Sequence, residues 1–507
     1  MKKLLKKLIP NWLLSIYHFK LALLGALVYG FPSRKLKVIG VTGTKGKSTV
    51  VMLAGKVLEN AKGDNSPQPP LNLRGEEITS PQPSPSKGEG EILPNPPFTK
   101  EGKTRVGWIS SLTINDGKNE VMNPFHMTMP GRFFIQKTLA RMVKNGCEYA
   151  IVEVTSEGIK QSRHQFIDWA GAVFTNLASE HLEAHGGFEN YRAAKLKLFA
   201  AAAKNKDSFG VYNLDDENAE WFLGYSVGKK YGYGFLTSPP PSPSKGEGEI
   251  HPTPPFSKEG DTSLYKREVG RDFEALQISN AKLEATGSEF EIGGVKFKTK
   301  LLGEFNVYNC AAAVAVGQAC GVNLEDASRA LGKINVVPGR LEIINEGQDF
   351  TVVVDLAHTP DSFSQVFNLF KNLAAHRGLG EGGSRTKIIS VFGSAGGGRD
   401  KWKRPELGRI ASQYSDQLFI TNEDPYDEDP LAIATEILAG CDKAKTDVIL
   451  DRRQAIAKAL SLAQAGDIIL VLGKGTEQTY MEGNKKIHWD DRIIVREEIK
   501  KIIKTAL

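Results

Sequence analysis

Short apolar runs recur along the chain, each ending in a polar or glycine-rich segment. Val38–Thr42, Tyr149–Val154, Ala172–Thr175, Thr351–Asp355, Lys387–Phe392, Gln417–Thr421 and Asp467–Leu472 read as buried strands. Between them, helical spacing marks Val50–Ala61, Ile135–Asn145, Glu189–Ala203, Val307–Cys320 and Ala432–Gly440. Alternation of strand and helix predicts an α/β protein with parallel sheets covered by helices. Binding sites in such folds lie at the carboxyl ends of strands, where the polar segments of this chain fall. At 507 residues the chain is too long for one domain.

Two segments break the pattern. Ser80–Gly102 and Ser238–Gly260 match at 19 of 23 positions, although their flanks are unrelated. Rich in Pro, Gly, Ser and Glu, they cannot bury enough surface to offset their ordering entropy, and Asp64–Thr79 is of the same kind. They read as mobile surface loops; recognition of a partner by extended Pro-rich structure is the weaker reading. The first 31 residues are basic, then largely apolar, with no small-residue cleavage site. Their uninterrupted apolar run, Leu21–Phe31, is 11 residues, too short to span a bilayer. An amphipathic helix packed on the protein is expected, with peripheral membrane contact through Lys2, Lys3, Lys6, Lys7 and Trp12 as the alternative.

Composition excludes more than it identifies. Forty per cent apolar and 24% charged residues are ordinary for a globular protein. A net charge of +6 without a basic, aromatic-interleaved stripe argues against nucleic acid. Cys147, Cys310, Cys320 and Cys441 have neither metal-ligand nor disulfide-framework spacing, which suits a reducing, cytoplasmic compartment.

The most informative segment is Gly40–Thr49, GVTGTKGKST. A strand runs into a glycine-rich turn and then a helix, the arrangement of a phosphate-binding loop. Gly43, Thr44 and Gly46 would turn backbone N–H groups toward phosphate oxygens. Lys47 would reach the β/γ-phosphates, and Ser48 or Thr49 would place a hydroxyl on Mg²⁺. Val41 stands where the common pattern has its first glycine. Further candidates sit at other strand ends. Glu153 closes an apolar strand and suits Mg²⁺, although a capping or surface role explains it equally well alone. His181 and His185 lie in a polar loop, and Lys195 sits on a small, apolar helical stretch where snorkelling to solvent is the simpler reading. The segments DLAHTPDSF, GGGRDKWKRP, ITNEDPYDEDP and LGKGTEQ each follow an apolar strand.

Together these motifs resemble the Mur ligases, ATP-dependent amide-bond synthetases of peptidoglycan precursor assembly. Within that family they are similar to the tripeptide-synthetase branch, the MurE type, which adds the third residue of the stem peptide. YGFPSRKLKVIGVTGTKGKST, EVTSEGIKQSR, TNLASEHLEAHG, ENYRAAKLKLF, PGRLEII, DLAHTPDSF, GGGRDKWKRP and GKGTEQ occur in the family's order from about Tyr29 onward. The resemblance implies a short helical segment at residues 1–36. A P-loop ATP-binding domain with a mostly parallel sheet follows at 37–337, carrying inserts at about 64–104 and 237–262, and then a Rossmann-like α/β domain at 338–507.

It also implies roles. Lys47, Ser48 and Thr49 would hold ATP and Mg²⁺, and Glu153 and His181 would be Mg²⁺ ligands. Lys195 matches the family lysine that CO₂ carbamylates, turning a cation into an anion able to meet a second Mg²⁺, which displaces the snorkelling reading. Thr155, Gln161 and Arg163 would contact UDP-MurNAc-dipeptide. Asn306, Arg340, Asp355 and His358 would hold the nucleotide, and Lys401 would face phosphate. Arg399, Asp424, Gly473 and Glu477 would line the pocket of the incoming free amino acid. The implied chemistry is activation of a carboxylate as an acyl phosphate, followed by amine attack, in a monomeric cytoplasmic enzyme serving cell-wall synthesis, and so cell shape and division.

Two departures stand out. Family members carry an N-terminal uridine-binding domain of roughly 90 residues. Here 36 residues precede Lys37, so UDP recognition is expected to be reduced, supplied differently, or supplied by another protein. Glu423–Tyr426 reads Glu-Asp-Pro-Tyr where diaminopimelate users carry Asp-Asn-Pro-Arg. Tyr426 cannot form a bidentate pair with a carboxylate, whereas Asp424 and Glu477 would favour an ammonium, so a basic, lysine-like substrate is expected. The rival readings are another ligase of the superfamily, such as a folylpolyglutamate synthetase, or a non-catalytic nucleotide-binding scaffold.

Overall fold

The structure, a computed structural model, describes residues 10–60, 104–125, 127–178, 185–236, 273–377, 385–398, 400–483 and 485–506. Both Pro-rich inserts, His181 and Arg399 lie outside the described residues.

The first sheet contains, in chain order, β1 (Lys37–Thr42), β2 (Val106–Ile109), β3 (Thr113–Asn115), β4 (Glu120–Met122), β5 (Tyr149–Glu153), β6 (Trp169–Phe174), β7 (Phe209–Asn213), β8 (Lys229–Gly234), β9 (Phe273–Glu284), β10 (Gly287–Ile292) and β11 (Val295–Thr299). Their spatial order is β11-β10-β9-β8-β7-β6-β1-β5-β2-β3-β4. From β9 to β2 every pairing is parallel, and the two outer meanders are antiparallel. β1 sits in the middle, covered on both faces, which is why it reads as a continuous apolar run. Ile39 and Val41 join one core with Val51, Trp108 and Val314; Val38 joins the other with Ile109, Trp169 and Leu198. Gly40 also belongs to this second face: a Cβ there would sit 2.7 Å from Leu198 Cδ1 and 2.9 Å from Trp169 Cζ3.

The helix Lys47–Glu59 starts three residues before the apolar pattern predicts. Gly46, at φ 77°, caps it, so Lys47, Ser48 and Thr49 form its first turn rather than the loop before it. Against it packs the helix Glu304–Ala319, buried all round from Val307 to Gly317 apart from Tyr308. Its Ala311, Ala312, Ala313 and Ala315 let it approach closely.

The second sheet comprises β12 (Glu342–Ile344), β13 (Thr351–Asp355), β14 (Ile388–Phe392), β15 (Gln417–Ile420), β16 (Thr446–Val448) and β17 (Ile468–Leu472), ordered β12-β13-β17-β14-β15-β16. Only β12 is antiparallel, and apolar cores cover both faces. A hairpin, β18 (Thr479–Glu482) with β19 (Lys485–His488), follows β17. The observed strands agree with the expected ones to within a residue, except that β6 starts three residues earlier than predicted. The β9–β11 meander is not among the predicted elements: Lys296 and Lys298 alternate with its apolar positions on an exposed edge.

The amino-terminal helix Asn11–Val28 packs Ala22, Gly25 and Ala26 against the helix Arg132–Lys144. Among the described residues, no helix is long and apolar enough to cross a membrane. The close approach at Gly40 carries a prediction: Gly40→Val overpacks the centre of the sheet and lowers stability by about 1–3 kcal/mol. Urea denaturation reads this directly; an unchanged midpoint would contradict the packing described.

Candidate active site at the strand ends

The loop leaving β1 is pressed against its neighbours. A Cβ at Gly43 would lie 2.0 Å from Thr175 Oγ1, and one at Gly46 would lie 2.3 Å from Asn309 Oδ1. Only glycine fits, which leaves the backbone itself as the surface of the loop. Hydrogen bonds from the segment after β6 hold it there. Lys45 N donates to Asn176 Oδ1 (2.8 Å), Thr44 N donates to Asn176 O (2.8 Å), and Thr175 Oγ1 donates to Lys45 O (2.7 Å). Ala178 N donates to Thr44 Oγ1 (2.9 Å), and Lys47 Nζ donates to Thr44 O (2.6 Å).

Beside this loop the expected metal residues form a short chain of oxygens. Ser48 Oγ lies 2.6 Å from Ser111 Oγ, and Ser111 N donates to Glu153 Oε2 at 2.7 Å. Glu153 is 2% exposed at the end of β5, and Thr49 is buried next to Ser48. One hydroxyl and one carboxylate at a phosphate loop suit Mg²⁺, which takes few protein ligands and shares the phosphates. Lys195 is 1% exposed on the helix Phe188–Ala202; its Nζ donates to Gly43 O at 2.6 Å and lies 4.4 Å from the Tyr191 ring centre. Lys47, Ser48, Glu153 and Lys195 therefore converge around one loop.

The second sheet supplies the facing wall. Asp355 ends β13 and accepts from Leu341 N and Ala357 N, both at 2.7 Å. Burial pushes its carboxyl above the usual range, against the pull of the neighbouring Arg340 guanidinium. His358 Nδ1–H donates to Leu356 O (2.8 Å). Asn306 Nδ2 donates to Leu302 O (2.8 Å) while its Oδ1 accepts from Asn309 Nδ2 (3.0 Å). A cleft of about 490 Å³ lies between the walls, lined by Thr44, Lys47, Ser48, Glu153 and Thr155 on one side and Arg340, Asp355, His358 and Glu477 on the other, with Asn306 and Asn309 at its floor. Among the described residues, the Lys45–Asp361 ion pair and Lys486 Nζ donating to Pro124 O (3.2 Å) tie the walls together.

Of the other expected residues, only some reach the cleft. Thr155 caps the helix Ser156–Lys160 by accepting from Gly158 N (3.1 Å). Gln161 Oε1 accepts from Arg163 Nη2 (2.7 Å), and Arg163 also donates to Met129 O; neither side chain lines the cleft. Lys401, expected at phosphate, pairs with Glu428 at 3.0 Å, outside the lining. Burial would raise the Glu428 carboxyl, but the Gly398 N–H, Lys401 and Arg404 outweigh it and hold it at about 2.

The expected amino-acid pocket contains a residue that sequence reasoning missed. Lys474, its side chain fully buried, donates to Asp424 Oδ1 (3.0 Å) and to Glu477 Oε2 (2.7 Å). Burial lowers its ammonium, yet Glu477 and Asp424 prevail and keep it above the ordinary lysine range. Gly473, at φ 108°, brings the backbone against Glu423, whose carboxyl burial pushes up. Ser111, Asn176 and Asn309 were also missed. For Asn309 a signal existed, since it follows Asn306 by three residues on one helix face. Lys474→Met would leave Asp424 buried without its ammonium, so thermal or chemical melting should show a loss of about 3 kcal/mol. A variant as stable as wild type would mean that the triad does not hold this loop.

Comparison with known proteins agrees with this geometry. The Mur ligase middle domain matches residues 101–237, and the Mur ligase glutamate ligase domain matches 339–475. A UDP-N-acetylmuramyl-tripeptide synthetase of Borreliella afzelii is 34% identical over 481 residues, covering 93% of this chain and 78% of the relative. A UDP-N-acetylmuramoyl-L-alanyl-D-glutamate–2,6-diaminopimelate ligase of Syntrophomonas wolfei is 31% identical, covering 96% and 82%. A solved structure of a ligase of the latter name superposes with a TM-score of 0.51 at 25% identity, over 92% of this chain and 79% of that one. With its phosphate loop, facing walls and these relatives, the chain belongs to the Mur ligase family, ATP-dependent ligases that form carbon–nitrogen bonds.

Proposed function

We propose that this ligase of peptidoglycan precursors adds a third amino acid to UDP-N-acetylmuramoyl-L-alanyl-D-glutamate. The observation that carries the reading is the cleft, where Lys47, Ser48 and Glu153 face Arg340, Asp355 and His358. Relatives bearing tripeptide-synthetase and diaminopimelate-ligase names support it, and they do not favour a folylpolyglutamate-type ligase. ATP, when bound with Mg²⁺, supplies the phosphoryl group that activates the glutamyl carboxylate toward the incoming amine. The loop N–H groups and Lys47 would offset the phosphate charge, while Ser48 and Glu153 would hold the metal. Asp355 and Arg340 steady the nucleotide from the second wall. Closure of the two walls keeps water from the activated carboxylate.

Lys195 is proposed to carry a carbamate. Its surroundings support this: a buried ammonium is costly, and a carbamate nitrogen keeps one N–H for the Gly43 carbonyl. Protein equilibrated with ¹³C-bicarbonate should give a carbamate carbon resonance that Lys195→Ala lacks. The same variant should lose at least about a hundredfold in kcat. An unlabelled wild-type protein would remove the carbamate while leaving the ligase reading intact.

The amino acid added is proposed to be basic, with L-lysine preferred over meso-diaminopimelate. Lys474 takes part of the charge of Asp424 and Glu477, but Glu477 also lines the cleft, where its carboxylate can meet a second ammonium. Tyr426 offers no cation to a second carboxylate. Phosphate release with the UDP-dipeptide and single amino acids should give kcat/KM for L-lysine at least about tenfold above diaminopimelate, roughly 1.4 kcal/mol of discrimination. The reverse order would sink the lysine assignment, and release with neither would sink the substrate proposal itself.

A further inference from the structure

The amino-terminal helix Asn11–Val28 has an outer face that none of the described residues covers. Leu13, Ile16, Tyr17, Lys20, Leu24, Leu27 and Val28 are all exposed, Leu27 by 56% and Val28 by 60%. Their spacing, i, i+3, i+4, i+7, i+11, i+14 and i+15, makes one continuous stripe. On the opposite side Ala22, Gly25 and Ala26 seat the helix on Arg132–Lys144, so the stripe points away from the described residues. A surface helix normally turns polar side chains outward; this one turns six large apolar groups and a single lysine.

Charge identifies what would cover it. Residues 1–58 contain no Asp or Glu, whereas Lys2, Lys3, Lys6, Lys7, Lys20, Arg34, Lys35 and Lys37 are all cationic. A second copy of the chain would bring like charges together. An anionic bilayer offers both an apolar layer for the stripe and counter-charge for the lysines. No described helix can cross a membrane, so the contact would lie in the interface plane. We propose that the exposed stripe Leu13–Val28 docks this ligase on the surface of an anionic lipid bilayer.

The test is sedimentation of the full chain with vesicles of phosphatidylcholine containing about one quarter phosphatidylglycerol, against phosphatidylcholine alone. Binding is expected to the anionic vesicles only, falling at least about tenfold in roughly 0.5 M salt. The double variant Leu24→Glu/Leu27→Glu should bind at least about tenfold more weakly while keeping wild-type melting and phosphate release. Should that variant unfold, replacing Lys2, Lys3, Lys6 and Lys7 with Gln must weaken binding by a similar factor. Equal binding to neutral vesicles, no binding to anionic ones, or a folded double variant that binds as wild type would overturn the proposal. So would light scattering that finds a wild-type dimer and a monomeric Leu24→Glu/Leu27→Glu variant, which would make a second copy the occupant.

Discussion

Parallel strands end at the same edge of their sheet, and the site depends on that constraint. β1 pairs in parallel with β5 on one side and β6 on the other, with Val41 opposite Glu153 and Thr42 opposite Phe174. The phosphate loop, the Glu153 carboxylate and the Thr175–Asn176 hydrogen bonders therefore emerge together, although more than a hundred residues separate the first from the others. Gly43 and Gly46 then allow the loop to lie directly on Thr175 and Asn309. A side chain at either position would push the loop off the partners that orient its N–H groups.

The second wall follows the same rule with a different emphasis. β13 and β17 pair so that Asp355 lies opposite Leu472, which brings the DLAH and GKGTE segments to one edge. Here charge is buried, and several of the buried charges are paired. Lys474 lies between Asp424 and Glu477; Arg452 donates to both oxygens of Asp491 at 2.9 and 2.6 Å; Arg404 pairs with Glu428 and Glu436. Desolvation takes back much of the attraction in such pairs, so their net contribution to stability is small. Their effect is positional, because a loop that left its partner would strand a buried charge.

The amino-terminal helix obeys a different logic. Its inner face is built of small residues for close packing, while its outer face is apolar and exposed among the described residues. From the sequence alone an amphipathic helix packed on the protein was the expectation. Packing does occur, but through the alanine and glycine side, which leaves the larger side chains outward. Periodicity locates a stripe but does not say which side of the helix meets the rest of the chain.

Strand positions, the phosphate loop with Lys47 and Ser48, and Glu153 were legible because each lies in or just after an apolar run, and apolar runs become buried strands wherever they fall; Asp355 and His358 came in through the family resemblance. The α/β class followed from the same alternation. Tertiary structure decided what those residues touch. Ser111 sits between Ser48 and Glu153, Asn309 presses on Gly46, Lys401 turns to Glu428, and Lys474 occupies the carboxylates that seemed reserved for a substrate ammonium. Apart from the Lys474–Glu477 contact, which spans three residues, these pairings join residues 27 to 263 positions apart, whose meeting is set by strand order. Burial and hydrogen-bonding needs select the partners only once the sheets are assembled. Local pattern thus determined the elements and most of the chemistry they carry, while long-range packing determined which charges face the cleft and which neutralise one another.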